Sequence, residues 1–534
     1  MWRLLLSSCF LLSAAAQDLA ISSAALPAFP GLYSVAPKSL IVAIPPDTFP
    51  ALPANIAAIR LEMLPRGSTQ SLSMTVTAAA AGMIWALVPA NAPLGRSAVT
   101  LTVNSRSVTG QVNVTSSSFG LFSALRDGSG PAIAQNVADG AAPVVNRLTS
   151  PVLPGQYVTL WGTGIGDFTT PDVTVEIDGT IVQPTFAGHS PGLPGVDQIN
   201  LRVPANVSSG CYIPVNATAG GTDITNQVAI ATATLPGTAC VHPLGLSADE
   251  LKRLDQGGTV VIGSLETSSM AYPQSDATDF YRDDRIYVSF LVADAQHAFT
   301  ASLTPLAVPR TCSLIAPRTG DFSAGGSPYS NPTVYGDAGA SLTFSGPAQQ
   351  KLTIPNVYGA YFTYLDAPPT AASIATLAPS FFAGGTWTLS APGGADIAGF
   401  QQALPLPAPF HWTNRDTLPP IDRNADLLVT WDSQGASAAD IVTVQIASRP
   451  PQGASLPAGV STGVSCVGPA QPGKLALPHS LLQKIAVTLP GYSSSLSVSS
   501  YFSRPPFTVP LKTGGTAATS NTSYFSEMIP VVVQ

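Results

Sequence analysis

The sequence predicts an all-β protein of tandem immunoglobulin-like β-sandwiches followed by one or two further β-sandwich domains. Short segments of alternating apolar and polar residues run through most of the 534-residue chain, and Gly, Pro or Asn bounds each of them. The 46 Gly and 50 Pro residues supply the turns that many short strands need. Only 10% of the residues are charged, whereas disorder requires high charge and low apolar content. The composition therefore favours a folded chain of many short strands.

Residues 1–16 are predicted to be a signal peptide. Arg3 gives a positive start, Leu4–Leu12 an apolar stretch, and Ala14–Ala16 a small-residue cleavage site. Beyond this segment no apolar run reaches the roughly 18 residues of a membrane span. We therefore expect a secreted protein, or one located in the periplasm or at the cell surface, with no transmembrane span.

The first half contains an internal repeat. The motif VPAN at Val88–Asn91 recurs at Val203–Asn206, each time before an alternating strand. Upstream, PKSLIVAIP from Pro37 corresponds to PGQYVTLWG from Pro154 at a similar offset. Tandem copies of one sandwich explain both matches. The predicted segments of this half are a sandwich at 22–117, a turn-rich linker at 118–137 and a second sandwich at 138–236.

The second copy carries a set of landmarks with a characteristic order. These are Pro154–Leu160, Gly162–Gly166, Phe186–Gly188, Pro191–Gly192, Gln198–Asn200 and Val203–Pro204. Through them residues 138–236 resemble the uncharacterised extracellular C-terminal domain family of Solibacter-type acidobacteria, whose members are similar to IPT/TIG-type immunoglobulin-like sandwiches. The chain departs from the family at Thr225–Gln227, where Ser-Asn is usual. The resemblance implies a fold and a bacterial, extracellular setting, and it brings no catalytic residues.

A spacer with a short helix is predicted at 237–257. Ser247 and Glu250 form a capping box, Leu246 and Leu251 a hydrophobic staple, and Gly257 ends the helix. Further strands then continue to the C-terminus, and they resemble β-regions of other secreted acidobacterial proteins through Ala391–Asp396 and Trp412–Asn414. The predicted segments of this half are a sandwich at 258–400 and another at 401–534, with a single domain at 258–534 as the alternative.

Four cysteines follow the predicted signal peptide: Cys211, Cys240, Cys312 and Cys466. An even number in an exported chain favours disulfides, with three possible connectivities. Cys211 and Cys240 bracket the last strands of one sandwich, so this local pair is the first choice, and Cys312–Cys466 follows by elimination. The cysteines form no C-x-x-C pair and have no histidine at ligand spacing, so a metal site is disfavoured.

Signatures of catalysis are missing from the sequence. The five histidines are scattered without H-E-x-x-H, and no G-x-S-x-G elbow occurs. The glycines of Gly162–Gly166 follow a strand but precede no helix and no Lys, so they indicate a turn rather than a phosphate loop. We expect no catalysis, no cofactor and no metal. A net charge of −7 also excludes a basic surface for nucleic acid.

One acidic cluster is a weak candidate for a Ca²⁺ site. Clustered carboxylates on a loop suit this cation, which takes six to eight oxygen ligands. The cluster lacks the alternation and the Gly of a calcium loop, and Arg282 and Arg285 compete for its carboxylates. A solvated loop with surface ion pairs is therefore favoured. The acidic residues are Asp276, Asp279, Asp283 and Asp284.

Aromatic residues are concentrated between Tyr329 and Tyr364, and Tyr358, Tyr361 and Tyr364 are the candidate ligand-binding residues. Exposed rings stack on sugars, although core packing is the more frequent role of such residues. Tyr361 and Phe362 are adjacent in a predicted strand, so they face opposite sides. The leading hypothesis is an extracellular adhesion, binding or scaffold protein with a protein or polysaccharide partner. The alternatives are a polysaccharide-binding protein that uses these rings and a secreted hydrolase.

Overall fold

The fold is described from a computed structural model. It describes residues 19–25, 34–125, 128–138, 140–221, 223–273, 279–302, 311–315, 334–365, 371–449, 463–483 and 485–534. The predicted signal peptide lies outside the described residues. The chain is 51% strand and 7% helix, so the predicted all-β class is confirmed.

The chain divides into two compact units. Unit 1 contains the described residues of Met1–Asn146, Val152–Ser208 and Val215–Ile230. Unit 2 contains the described residues of Arg147–Pro151, Ser209–Pro214 and Ala231–Gln534.

The first sandwich is one antiparallel sheet that curls until its ends meet. Its strands lie in the order β1-β2-β5-β4-β3-β6-β7, and the N–H of Leu19, just before β1, donates to the carbonyl of Thr109 in β7 (3.2 Å). Alternate residues such as Val99, Leu101 and Val103 point into the core. The strands are β1 (Ala20–Ser23), β2 (Leu40–Ile44), β3 (Ile59–Pro65), β4 (Leu72–Ala80), β5 (Met83–Leu87), β6 (Gly95–Val103) and β7 (Arg106–Val114).

The next eleven strands form two sheets, ordered β10-β9-β11-β15-β14 with β8 beside β11, and β13-β12-β16-β17 with β18 beside β16. They are β8 (Gly120–Leu121), β9 (Ala134–Val137), β10 (Val144–Val145), β11 (Tyr157–Thr163), β12 (Val173–Ile177), β13 (Thr180–Val182), β14 (Phe186–His189), β15 (Asp197–Arg202), β16 (Gly210–Ala219), β17 (Asp223–Ile224) and β18 (Val228–Thr232).

The predicted linker at 118–137 is wrong. Both β8 and β9 come from this segment, and both pair with β11. Its many Ser and Gly residues indicate turns. The two strands have only two and four residues, so their local pattern is weak and long-range pairing stabilises them.

The internal repeat has a structural counterpart at its turn. In the first copy the N–H of Lys38 donates to the carbonyl of Val88 (3.1 Å). The N–H of Val88 donates in return to the carbonyl of Ser39 (2.9 Å). Gly155 and Val203 repeat both bonds in the second copy (2.9 and 2.8 Å). Lys38 and Gly155 both have a positive φ, 65° and 80°. The two VPAN motifs therefore close the same turn.

The predicted helix and its capping box are confirmed. Helix α1 (Ala248–Asp255) begins after Ser247, whose hydroxyl accepts from the N–H of Glu250, while the Glu250 carboxylate accepts from the N–H of Ser247 (2.7 Å). Leu246 and Leu251 are both buried, as the staple requires, and Gly257 has a φ of 78° just after the helix. The other described α-helices are α2 (Ala295–Ser302) and α3 (His479–Leu482). Short 3₁₀ helices lie at Ile56–Ala58, Thr170–Asp172, Pro347–Gln349, Ile374–Thr376 and Arg415–Thr417.

The described strands of unit 2 form a large sheet and a small one. The large sheet has the order β21-β29-β28-β31-β32-β19-β20-β24-β23-β22-β25-β26, and β27 pairs with β30. The strands are β19 (Val260–Pro273), β20 (Phe280–Ala293), β21 (Thr311–Ile315), β22 (Ser341–Ser345), β23 (Lys351–Val357), β24 (Ala360–Tyr364), β25 (Gly385–Ala391), β26 (Phe400–Leu406), β27 (Leu427–Thr430), β28 (Ile441–Arg449), β29 (Gly463–Pro469), β30 (Lys474–Leu477), β31 (Ser493–Pro510) and β32 (Thr516–Pro530).

The large sheet crosses the predicted boundary between 258–400 and 401–534. Strand β32, near the C-terminus, pairs in parallel with β19, the first strand of the unit. Two hydrophobic cores lie along the sheet, and β31 and β32 contribute to both. A boundary at residue 400 is therefore wrong, and this topology agrees with the alternative of one domain.

One disulfide is described in full, and one further described cysteine is disulfide-bonded. The Cys211–Cys240 bond is present, so this prediction is confirmed. Cys466 is also disulfide-bonded, and Cys312 lies directly opposite it in the register of β21 and β29. The side chain of Cys312 lies outside the described residues, so the Cys312–Cys466 pairing agrees with the register and stays a prediction.

Candidate functional site

The two faces of the large sheet differ in character around β19 and β20. Leu265, Ile286 and Val288 point to one face and are fully buried in a core. Because side chains alternate along a strand, Glu266 and Tyr287 point to the other face. That second face carries hydroxyl groups, aromatic rings and charges.

Strand register aligns the residues of this second face in two rows. The first row crosses four strands, from Tyr524 in β32 through Ser268 and Arg285 to Tyr364 in β24. Strands lie about 4.8 Å apart, so such a row spans about 14 Å. The second row runs parallel to it, and its members are Thr522, Glu266, Tyr287 and Phe362.

A cavity of about 470 Å³ lies over these rows, and we call it the sheet groove. It is lined by Glu266, Ser268, Met270, Arg285, Tyr287, Phe362, Tyr364 and Tyr524, together with Ile286 and Thr363. All of these residues belong to unit 2.

The rings of the sheet groove are held in place by each other and by hydrogen bonds. Phe362 and Tyr364 meet edge to face with their centroids 5.9 Å apart. On the far side Tyr524 lies 4.7 Å from Tyr501, and its hydroxyl donates to the hydroxyl of Ser499 (3.1 Å). Tyr364 is 59% exposed, so its ring remains open to a ligand.

The cation of the sheet groove is already paired. The Nε of Arg285 donates to Oδ2 of Asp283 at 2.8 Å, and a second guanidinium nitrogen contacts the same oxygen. The guanidinium carbon also lies 4.9 Å from the centre of the Tyr364 ring, within the range of a cation–π contact. Arg285 therefore holds Tyr364 in place while its charge is neutralised.

The carboxylate of Glu266 has no hydrogen-bond or ion-pair partner among the described residues. The walls of the sheet groove reduce its solvation and raise the pKa of Glu266 above its usual range. Burial also raises the pKa of Tyr287 to about 12, with a further contribution from its hydrogen bond with Tyr335. The raised pKa values of both groups therefore reflect a partly desolvated surface.

The candidate ligand-binding tyrosines have three different positions. Tyr361 is fully buried in the core, and its hydroxyl accepts from the N–H of Ala338 (2.7 Å) and donates to the carbonyl of Gly339 (2.9 Å). The prediction that Tyr361 binds ligand is therefore wrong. Tyr358 is 98% exposed at the tip of the β23–β24 hairpin, outside the sheet groove. Only Tyr364 lines the groove.

Sequence reasoning missed most of the sheet groove. Phe362 lies next to Tyr361, and alternation shows only that one of the two faces the core. Tyr287 and Glu266 carry the alternating pattern of a half-exposed strand, which identifies a face but no function. Tyr524 reaches the groove through the parallel pairing of β19 with β32, which has no local signal.

The acidic candidates for Ca²⁺ do not form a site in the described residues. Asp276 lies outside these residues, and Phe280–Ala293 is a strand, so the predicted solvated loop at 283–285 is wrong. Asp283 and Asp284 are neighbours in that strand and face opposite sides; Asp284 accepts from the N–H of Phe381 (2.7 Å). Among the described residues, no contact joins Asp279 to Asp283 or Asp284.

No group of three or more His, Cys, Asp or Glu side chains is arranged to hold a metal ion in the described ranges. None of the described helices is both long and apolar enough to cross a membrane.

No protein-family model matches the chain, and no curated protein matches it in sequence. Among solved structures, a glucan-utilisation protein of Bacteroides ovatus, SGBP-B in complex with a mixed-linkage heptasaccharide, is 12% identical over 88% of this chain and 94% of its own, with a TM-score of 0.13. The ICAM-5 D1–D4 ectodomain fragment is 12% identical over 97% of this chain and 100% of its own, with a TM-score of 0.13. Immunoglobulin domains 1–4 of Sidekick-1 are 11% identical over 96% of this chain and 100% of their own, with a TM-score of 0.13. At these scores the similarities carry no argument about function.

Proposed function

We propose that this protein is an exported, non-catalytic binding protein and that the sheet groove binds a polysaccharide. The observation that carries the proposal is the groove itself, in which Tyr287, Phe362, Tyr364 and Tyr524 surround hydroxyl groups and a free carboxylate. A cavity of about 470 Å³ is within the usual size of ligand sites.

The chemistry of the lining suits a sugar chain. A pyranose ring has apolar C–H faces and a rim of hydroxyl groups, so it needs flat aromatic surfaces beside hydrogen-bonding groups. The sheet groove offers both, because Ser268 and Glu266 lie between the rings of the two rows. A row of about 14 Å accommodates several sugar units along its length.

The proposal of binding without hydrolysis rests on the carboxylates. Glycoside hydrolysis generally uses two carboxylates on either side of the scissile bond. Within the described lining of the sheet groove Glu266 is the one carboxylate, and nearby Asp283 is engaged by Arg285. The secreted-hydrolase alternative is therefore the weaker one.

Export and family membership belong to the proposal as well. The Cys211–Cys240 disulfide supports an oxidising compartment, in agreement with the predicted signal peptide. Membership of residues 138–236 in the acidobacterial extracellular family stays a prediction. The groove favours the polysaccharide alternative over adhesion to a protein, since it is a concave surface lined by rings and hydroxyls.

The test is binding of the full chain to a panel of soluble oligosaccharides by titration calorimetry. We expect at least one neutral oligosaccharide to bind, and we expect Tyr364→Ala and Tyr287→Ala each to weaken it about tenfold, since each removes a stacking ring. Tyr358→Ala is the matched control, because that ring is 98% exposed at a hairpin tip and should leave affinity unchanged.

Two results would overturn the proposal. One is absence of binding across the panel by a protein whose thermal unfolding shows that it is folded. The other is an equal loss of affinity in the Tyr358→Ala and Tyr364→Ala proteins, because a shared loss places the binding site elsewhere.

A further inference from the structure

Of the two described charged residues that line the sheet groove, one is paired with an opposite charge and the other is not. Arg285 is the described cation of the lining and Glu266 the described anion. Their environments differ, because Arg285 is committed to a partner within the protein and Glu266 is not. Within the described lining, the one charge without a partner of opposite sign is therefore negative.

Arg285 is not free to act as an anchor for an acidic group. Its Nε and one terminal nitrogen are directed to the carboxylate of Asp283, and its flat surface covers Tyr364. An acidic ligand group at the remaining guanidinium nitrogen would share the cation with Asp283, whose side chain is only 14% exposed and already neutralises it. The sheet groove thus lacks an unpaired cation for an acidic ligand.

Glu266 lies in the middle of the second row, between Thr522 and Tyr287. A carboxylate only accepts hydrogen bonds, so its oxygens need donors from whatever fills the groove. Sugar hydroxyls supply such donors. A uronic acid or a sulfated sugar would instead place a second negative charge on a surface where solvation of the first is already reduced.

We propose that the sheet groove selects polysaccharides without acidic groups and that Glu266 is the residue that determines this specificity. The inference rests on the proposed function and names its ligand class. Like charges about 6 Å apart at a partly solvated surface repel enough to change affinity about tenfold.

The experiment compares matched probes on the full chain. Cellohexaose, mannohexaose and galactohexaose are each paired with the same oligosaccharide oxidised to the carboxylate at C6, so that the members of a pair differ mainly in charge. For a neutral probe that binds, we expect the acidic partner to bind at least about tenfold more weakly, with the difference decreasing as salt is raised.

The Glu266→Gln variant tests the residue. Gln keeps the size and one acceptor oxygen but removes the charge, so we expect weaker binding of the neutral probe, stronger binding of the acidic probe, and a ratio near one. Glu62→Gln is the matched control, since it makes the same substitution beside Arg60 in the first sandwich, and it should keep the wild-type ratio.

The possible failures are distinguishable. If no probe of either kind binds, the proposed function itself fails. If acidic probes bind the wild-type protein as tightly as neutral ones, or more tightly, the groove binds polysaccharide but does not exclude acidic chains. If Glu266→Gln retains the wild-type ratio, exclusion has another cause and the assignment of Glu266 is wrong.

Discussion

His242 lies in an apolar part of unit 2, where it is 3% exposed. Its ring meets that of Tyr212 edge to face at 5.4 Å, and its Nδ1 accepts from the N–H of Leu244 (3.2 Å). An acceptor nitrogen must be unprotonated, so this geometry requires the neutral ring. Burial lowers the pKa of His242 from 6.5 to about 4.

This lowered pKa predicts a loss of stability in acid. The unfolded chain binds a proton at His242 below about pH 6.5, whereas the folded chain does so only below about pH 4, so the stabilisation is complete above pH 6.5 and decreases as pH falls between these values. The free energy of unfolding should fall by about 3 kcal/mol over this range from His242 alone. Denaturant unfolding of unit 2 at several pH values measures it.

The His242→Phe variant should lose this part of the pH dependence, although losing the acceptor for Leu244 lowers its stability at neutral pH. Phe299→Leu is the control, because it removes the other ring that meets Tyr212 edge to face (5.1 Å) without removing a titratable group, so it should preserve the acid slope. An unchanged slope in His242→Phe would show that the ring is not held neutral.

In the large sheet, the side chain of Thr519 in β32 packs directly over Gly263 in β19. A methyl group added there would lie 2.1 Å from the hydroxyl oxygen of Thr519 in β32, nearer than atoms can pack. The absence of a side chain at Gly263 leaves room for Thr519, and further along the same strand pair the hydroxyls of Thr267 and Ser523 are hydrogen-bonded at 2.9 Å. The strand pair therefore depends on a residue without a side chain.

Gly263→Ala should accordingly destabilise unit 2 by about 1–3 kcal/mol, because the buried side chain of Thr519 must move to admit the methyl group. Thermal or denaturant unfolding of the full chain measures this change. Gly336→Ala is the control, since a methyl group there meets its neighbours at 3.4 Å and beyond, an ordinary contact distance. Equal effects of the two substitutions would contradict the packing of Thr519 over Gly263.

For helices and strands, the sequence predicts features formed by neighbouring residues and misses contacts between strands that are distant in the sequence. The capping box of Ser247 and Glu250 and the helix end at Gly257 each depend on residues close together in the sequence, so local patterns predict them. The groove needs Tyr524 beside Ser268, residues that only a parallel pairing across some 256 positions brings together. Tyr361 and Phe362 show the same limit, because alternation separates their faces without saying which one is buried.

The whole of unit 2 is tied together by its last two strands. Leu496, Val498 and Phe525 belong to the core that contains Trp412, whereas Phe507, Val509 and Ala517 belong to the core that contains Trp387. Strand β32 also forms the far wall of the sheet groove through Tyr524. The groove and both cores are thus incomplete until the C-terminal strands are in place.

Residues 258–400 expressed alone should therefore fail to fold. Such a fragment lacks β31 and β32, so β19 loses a partner along ten residues and the Trp387 core loses Phe507, Val509 and Ala517. Unpaired strands and an open core leave too little buried apolar surface to offset the entropy of ordering the chain. Circular dichroism and proton NMR should show an unfolded or aggregated fragment, whereas the full chain, as the control, should show dispersed NMR signals and a cooperative unfolding transition. A fragment 258–400 with dispersed NMR signals and its own unfolding transition would contradict the shared sheet and restore the boundary at residue 400.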